Sequence, residues 1–222
     1  MFAEPPTTNY DLRFRLLGIP VRVHPLFWLV SVVLGWDPDN LQALMLWVVA
    51  VFVSILVHEM GHALCARAFG SAPHVVLYSF GGLAIYHPGG NTSARHRIAV
   101  SFCGPLAGFL LAGLVLGFVF YVAGPQTELQ KTLVWDLLFI NIGWGIVNLL
   151  PVWPLDGGQI AFYFLDRVSP AQGAQIARGL SVLAAVLVAV YAFQTGQLYI
   201  ALLFGYLAVL SLQGLGLPRG RM

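Results

Sequence analysis

Three ionisable residues, His58, Glu59 and His62, lie near the end of an otherwise apolar stretch at 41–70. The two histidines are one helical turn apart, so their imidazoles can share a metal ion, and Glu59 can reach a water beside that ion without binding it. An ionisable side chain at membrane depth costs on the order of 3 kcal/mol, and a bound cation would compensate for it. The alternative is a buried polar cluster that hydrogen-bonds neighbouring helices.

Asp156 is the strongest candidate for a third metal ligand. A catalytic zinc site usually has three protein ligands and keeps a fourth position for water. The other acidic residues map to the N-terminus, to the opposite side of the membrane or to a loop, whereas Asp156 follows Pro151 and Pro154, which prevent a regular helix. Unwound backbone at membrane depth is tolerated only where it is buried in protein or lines a polar cavity. Alternatively, Asp156 is a turn or capping residue before Gly157 and Gly158.

These residues together predict a metal-assisted hydrolysis. A bound Zn2+ would make a water molecule acidic, Glu59 would take its proton as general base, and the resulting hydroxide would attack a carbonyl. The proton would then pass to the leaving amine. Asn148, which precedes the unwound segment, could donate an amide hydrogen bond to the substrate carbonyl or oxyanion. An asparagine that bridges two helices is the alternative role.

The composition is that of a polytopic membrane protein. Of the 222 residues, 59% are hydrophobic and 9% are charged, and several apolar runs are long. The net charge of +2 and the lack of a basic tract give no support for a nucleic-acid partner. Cys65 and Cys103 lie in apolar segments and are expected to be core residues. The N-terminus lacks the order of a cleaved signal peptide, so we expect the chain to begin near Met1.

The residue periodicity predicts an all-α polytopic membrane protein with about six transmembrane helices and short β-hairpins at the membrane surface. The helix predicted at 25–36 has only about a dozen residues, whereas a span needs about 20. We expect a single membrane-embedded domain, 1–222. Its predicted parts are a hairpin at 10–24, two helices with the zinc motif at 25–70, a second hairpin at 71–94, the third and fourth helices with the Asp-Gly motif at 95–158, and a loop with the last two helices at 159–222.

The basic residues predict the orientation in the membrane. If all six helices cross and the N-terminus is cytoplasmic, every arginine lies on the cytoplasmic side and Lys131 alone lies outside. We therefore expect a multi-pass protein of the plasma membrane with both termini in the cytoplasm. Residues 58–62 would then lie in the cytoplasmic half of the bilayer.

Four motifs follow one another along the chain. They are H-E-M-G-H at 58–62 inside a membrane helix, a Gly-Gly hairpin at 81–82, G-P-L-A-G at 104–108 and N-L-L-P-V-W-P-L-D-G-G at 148–158. In this order they resemble the site-2 protease family of intramembrane zinc metalloproteases. The resemblance implies these roles: zinc ligands His58, His62 and Asp156, general base Glu59, and substrate-orienting residue Asn148.

The same resemblance implies a substrate and a setting. Members of this family cleave single-span membrane proteins in or near their transmembrane segments, in contact with membrane lipid, during regulated intramembrane proteolysis. Many relatives carry a PDZ or CBS regulatory domain, and we expect here a compact form without either. The oligomeric state is left open by the sequence.

A transmembrane helix has its carbonyls hydrogen-bonded internally, so a substrate must unwind before a nucleophile can attack. An exposed strand edge can hold the unwound segment by β-augmentation. The strand at 75–80 is the predicted edge. A purely structural hairpin that seals the cytoplasmic face is the alternative.

The rival function is a membrane transporter or metal carrier that uses the same buried ligands, because broken helices near mid-membrane also mark transport sites. Such transporters have repeated halves with matching interruptions, whereas this sequence has one unwound segment and no repeat. Cys65 is expected to be a small buried residue rather than a soft ligand. His74, His87 and His96 are expected to be surface residues that do not bind the metal.

Overall fold

The computed structural model describes residues 4–79, 81–86 and 93–215. For residues 214 and 215 it describes the backbone alone. The chain divides into two compact units. The histidine unit comprises Phe2–Asn91 and Cys103–Ile146, and the aspartate unit comprises Met1, Thr92–Phe102 and Val147–Met222.

The histidine unit contains a four-stranded sheet with the strand order β1-β2-β3-β4. The strands are β1 (Leu12–Leu16), β2 (Ile19–Val23), β3 (His74–Tyr78) and β4 (Gly81–Ile85). β1 pairs antiparallel with β2, and β3 pairs antiparallel with β4. These pairs are the two predicted hairpins, although part of the second one, at 80 and 87–92, lies outside the described residues. β2 and β3 also pair in parallel, with Val21 opposite Val75, so the hairpins form one sheet.

β3 is an interior strand, because it is paired on both sides. Val75, Val76 and Leu77 have no solvent exposure, as expected of a strand that is covered on its faces as well. The prediction that the strand at 75–80 is the exposed edge is therefore wrong. Within the described part of the chain, β1 and β4 are the edges of this sheet.

The helices account for most of the chain. They are α1 (Pro25–Leu34), α2 (Leu41–Ala68), α3 (Ala94–Tyr121), α4 (Glu128–Leu138), the π-helix π1 (Phe139–Trp144), α5 (Gly145–Asn148), α6 (Asp156–Val168), α7 (Gly173–Gln194) and α8 (Leu198–Leu215). Their starts follow from local sequence. His24 and Asn40 accept backbone N–H bonds at the starts of α1 and α2, and Thr127 forms a capping box with Gln130 before α4.

Three of the described helices are long and apolar enough to cross a membrane, namely α2, α3 and α7. α1 and α8 are shorter apolar helices. The predicted fourth crossing is a continuous helical run from α4 through π1 to α5. The chain is thus a mostly helical membrane protein with a small sheet, and the number of six crossings stays a prediction.

The chain leaves helical geometry between Asn148 and Asp156, as Pro151 and Pro154 predict. It then forms α6, which the sequence analysis treated as part of a loop. α6 has an acidic residue, Asp156, in its first turn and a basic residue, Arg167, in its last turn, and both charges favour a helix through its dipole. This part of the prediction for 159–222 is corrected.

Candidate metal centre

His58 and His62 lie on one face of α2 with their rings directed at each other. The two Nε2 atoms are 3.1 Å apart, and the ring planes are inclined at 81°. Two nitrogens that bind one tetrahedral zinc at about 2.05 Å lie about 3.3 Å apart, so this pair fits the geometry of a shared ion. His62 is buried and His58 is half-buried. The sequence spacing therefore produces the expected pair of ligand atoms within a single helix.

Small residues allow α3 to approach the histidines closely. A Cβ at Gly104 would overlap Nε2 of His62 and lie 2.7 Å from its Cδ2. On α2, a Cβ at Gly61 would overlap the backbone oxygen of Cys103 and lie 2.8 Å from Cβ of Ala107. The glycines thus let the two helices pack backbone to backbone, which fixes the His62 ring against α3.

Glu59 is buried on α2, with 6% of its surface exposed, and lies directly under the edge strand β4. A Cβ at Gly82 would overlap Cγ of Glu59 and lie 2.8 Å from its Oε1. Its carboxylate is therefore held between α2 and the backbone of β4.

Asn141 is a buried polar residue of π1 that the sequence analysis did not single out. Its Nδ2 donates to Oγ of Ser54 at 2.7 Å and to the carbonyl of Leu137 at 2.8 Å. Ser54 lies one turn before His58 on α2, so this bond fixes the position of α2 along π1. π-Helical segments occur frequently at functional sites. The signal available in the sequence was an asparagine inside an apolar run.

Asp156 and Asn148 belong to the aspartate unit. Asp156 is buried in the first turn of α6, and Asn148 is the buried last residue of α5. A Cβ at Gly157 would overlap the carbonyl of Leu149, so the Asp-Gly-Gly sequence packs tightly on the unwound segment. The glycines explain why this motif requires residues without a side chain after Asp156.

The remaining candidate residues have other surroundings. Cys65 and Cys103 are free cysteines and both are half-buried, whereas the sequence predicts buried core residues. His74 Nε2 lies 3.3 Å from Oε2 of Glu4 at the sheet. His96 lies at the start of α3, and His87 lies outside the described residues.

A metal-spaced histidine pair, a buried glutamate beside it and a set of long apolar helices define a membrane-embedded protein of the metalloprotease class. Residues 46–134 and 123–192, together more than half of the chain, match the sequence model of Peptidase family M50. The chain belongs to Peptidase family M50, the family of the site-2 proteases. The family resemblance predicted from the motifs is confirmed.

Individual relatives agree with this family. The chain is 30% identical over 159 residues to Stage IV sporulation protein FB of Bacillus subtilis, with 71% of this chain and 52% of that protein covered. It is 28% identical over 168 residues to a zinc metalloprotease of Methanocaldococcus jannaschii, with 72% and 47% covered. The chain thus spans about half the length of the curated relatives it matches.

A solved structure supports the fold. The Site-2 Protease from Methanocaldococcus jannaschii superposes with a TM-score of 0.61 at 21% sequence identity. The match covers 96% of this chain and 99% of that chain. The likeness in fold therefore extends along nearly the whole sequence.

Proposed function

We propose that this protein is an intramembrane zinc endopeptidase that hydrolyses peptide bonds in or near the transmembrane segments of single-span membrane proteins. The observation that carries the proposal is the position of Glu59, which is buried beside the paired histidines and under the backbone of β4. A transporter with the same ligands is expected to have repeated halves with matching interruptions, whereas this sequence has one unwound segment and no repeat. A carboxylate beside the two histidines supports a hydrolase, in which it can act as a base.

The cofactor is Zn2+. When bound, the ion supplies Lewis acidity, which makes a water molecule acidic near neutral pH and polarises a carbonyl group. His58 and His62 would hold it through Nε2, and we propose that the Asp156 carboxylate is the third ligand. Because histidine nitrogen and carboxylate oxygen are both common zinc ligands, this donor set has the composition of a catalytic site.

Glu59 would act as general base and Asn148 as a hydrogen-bond donor. Glu59 would accept a proton from water at its carboxylate and deliver it to the nitrogen of the leaving amine. Asn148 would donate its amide N–H to the substrate carbonyl oxygen, where negative charge develops. Both side chains are buried, and a low local dielectric strengthens each of these interactions.

The edge strand β4 provides a way to hold the substrate. A helical substrate must unwind before attack, and its freed N–H and C=O groups then need partners. An unwound segment that pairs with β4 would satisfy them and pass beside Glu59, since Gly82 of β4 contacts this residue. This role replaces the one predicted for the interior strand β3.

We further propose a multi-pass protein of the plasma membrane with six crossings, both termini in the cytoplasm and the site in the cytoplasmic half of the bilayer. The arginine distribution supports this orientation. The helices α2, α3 and α7 supply three long crossings, and the continuous run from α4 to α5 supplies a fourth. Membrane lipid and the substrate's own span are the expected partners.

The test is processing of single-span membrane proteins in proteoliposomes that contain purified full-length protein. A panel of such substrates is incubated with the wild type and with Glu59→Gln, which keeps the shape of the side chain but removes the base. We expect cleavage within or beside the substrate span by the wild type and at least about 100-fold slower cleavage by the variant. Equal cleavage by both, or zinc flux into the vesicles with no cleavage, would contradict the proposal.

A further inference from the structure

The unwound segment between α5 and α6 is hydrogen-bonded to two serines, one in each of the last two helices. The backbone N–H of Trp153 donates to Oγ of Ser181 at 2.7 Å. The hydroxyls of Ser181 and Ser211 are 2.7 Å apart, and Ser211 in turn donates to the carbonyl of Leu207 at 2.9 Å. We propose that Ser181 and Ser211 are positioning residues that hold the unwound segment and thereby place Asp156.

The hydroxyl protons of Ser181 and Ser211 can be assigned from the other partners of the two oxygens. Ser181 accepts from Trp153, so its own proton is available to Oγ of Ser211. Ser211 then has its single proton for the carbonyl of Leu207 at 2.9 Å, with the carbonyl of Trp153 at 3.4 Å as the longer alternative. In this assignment each hydroxyl donates once and accepts once, and a second acceptor lone pair remains on each oxygen.

The backbone of the segment shows why Trp153 requires this support. Val152 donates to the carbonyl of Leu150 at 2.7 Å, and Leu155 donates to the carbonyl of Val152 at 2.8 Å, so both amides are satisfied inside the segment. Pro151 and Pro154 have no N–H. The N–H of Trp153 instead donates to a side chain of α7, 28 residues further along the chain. A backbone amide that is withdrawn from water is costly without a partner, and the bond from Trp153 to Ser181 is partly buried.

Ser181 and Ser211 are buried, so their hydroxyls replace water as hydrogen-bond partners. Ser181 and Ser211 are 2% and 3% exposed, and Val152 beside them is fully buried among apolar residues of α7 and α8 such as Ala185 and Phe204. In an apolar surrounding, the two hydroxyls carry the hydrogen bonds that solvent would otherwise provide. Through these two hydroxyls, α7 and α8 would position Asp156, although the proposed zinc ligands lie on other helices.

The position of Asp156 depends on this anchor. It lies three residues after Trp153 and begins α6, and Gly158 packs against the backbone of Val152 and Trp153. A shift of the segment at Trp153 would therefore move the carboxylate of Asp156. The inference rests on the proposed role of Asp156 as a zinc ligand.

The experiment compares the full-length zinc-loaded wild type with Ser181→Ala, Ser211→Ala and Ser181→Thr. The rate of zinc transfer to a chelator is measured, together with the visible absorption of the cobalt-substituted protein, which reports ligand geometry. We expect zinc loss to be about tenfold faster in both alanine variants, with an altered cobalt spectrum, because partners that orient ligands typically contribute 10- to 100-fold to affinity. Ser181→Thr keeps the hydroxyl and should restore both properties.

Ser31→Ala is the matched control. Ser31 is also 2% exposed, but its hydroxyl donates within its own helix to the carbonyl of Phe27 at 2.8 Å. This variant should keep the wild-type zinc release and cobalt spectrum. If Ser181→Ala does not fold, Ser211→Ala tests the same chain of hydrogen bonds, since it removes the acceptor of the Ser181 proton.

Asp156→Asn distinguishes the positioning role of the serines from the ligand role of Asp156. If it accelerates zinc release but both serine variants behave as Ser31→Ala does, the positioning role is wrong and the ligand assignment stands. If Asp156→Asn leaves zinc release unchanged, the ligand assignment fails and the positioning role fails with it. Faster release in Asp156→Asn and in the serine variants, with rescue by Ser181→Thr, is the result expected.

Discussion

Gly82 on β4 packs against Glu59 on α2 so closely that a Cβ atom at position 82 would overlap Cγ of Glu59. The contact joins the edge of the sheet to the proposed general base. Glycine at this position lets the strand backbone lie directly on the carboxylate side chain. A substrate strand added to β4 would consequently be only one strand away from Glu59.

Gly82→Ala is expected to lower the cleavage rate by about 100-fold while zinc stays bound. The new methyl group must displace the Glu59 side chain, and a misplacement of about 1 Å in a catalytic group costs a factor of this size. Gly81→Ala is the adjacent control, because a Cβ there meets no atom within 4 Å. Cleavage assays and zinc analysis on both variants test the contact. Equal loss of activity in the two variants would refute it.

The replacement of a ligand and the replacement of the base should have different effects on the metal. His58→Ala removes one Nε2 of the pair and should lose most of the zinc. Glu59→Gln should retain the zinc and reduce cleavage by about 100-fold or more, the usual contribution of a general base. Elemental analysis of the purified variants decides this. Equal zinc loss in both would make Glu59 a ligand instead of the base.

The features that depend on a few neighbouring residues were predicted correctly from the sequence. The histidine spacing predicted the Nε2 pair on α2, and Pro151 and Pro154 predicted the break in the helix. Each of these follows from backbone geometry within a few residues. The unwound segment at 148–158 indicated Asp156 and Asn148, the family resemblance implied the same two residues, and their roles remain predictions.

Features that depend on distant pairing were missed. The parallel pairing of Val21 with Val75 joins strands that are separated by two helices, and it made β3 an interior strand. The Asn141–Ser54 hydrogen bond connects residues 87 positions apart, and no periodicity encodes it. α6 was missed because Gly157 and Gly158 in its first turn lower the helix propensity. Tertiary packing, which requires those glycines, overrides that preference.

The predicted topology can be tested by cysteine labelling. Single cysteines are placed at Thr7, Gln126 and Arg219 in a protein whose Cys65 and Cys103 are replaced by alanine. A membrane-impermeant reagent applied to intact cells should label position 126 and leave positions 7 and 219 unlabelled, because the arginine bias places both termini inside. Labelling of position 7 or 219 from outside, or no labelling at 126, would contradict six crossings.

Asp11 should make the protein more sensitive to acid. Hydrogen bonds from Thr8, with that of the hydroxyl at 2.7 Å, and the Arg22 guanidinium at 3.1 Å hold the pKa of Asp11 well below its usual range. Because the folded pKa is depressed, the stabilisation is present above the unfolded pKa of about 3.9 and is lost as pH falls towards the folded value. Thermal unfolding between pH 7 and pH 3 measures it.

In that experiment, Asp11→Asn should be less stable than the wild type at pH 7 and should lose less stability on acidification. Asp39→Asn, in the exposed loop before α2, is the control and should follow the wild-type profile. Parallel pH profiles for the wild type and Asp11→Asn would show that the Thr8–Asp11–Arg22 cluster does not stabilise the fold.

Asp156→Asn tests the proposal that Asp156 is the third zinc ligand. The substitution keeps the shape of the side chain but weakens an anionic ligand, so zinc affinity should fall at least about tenfold and cleavage should fall with it. Asp166→Asn makes the same chemical change ten residues later, in the last turn of the same helix. It should keep both zinc and cleavage near wild-type values. Full zinc occupancy together with full cleavage in Asp156→Asn would mean that another group completes the metal site.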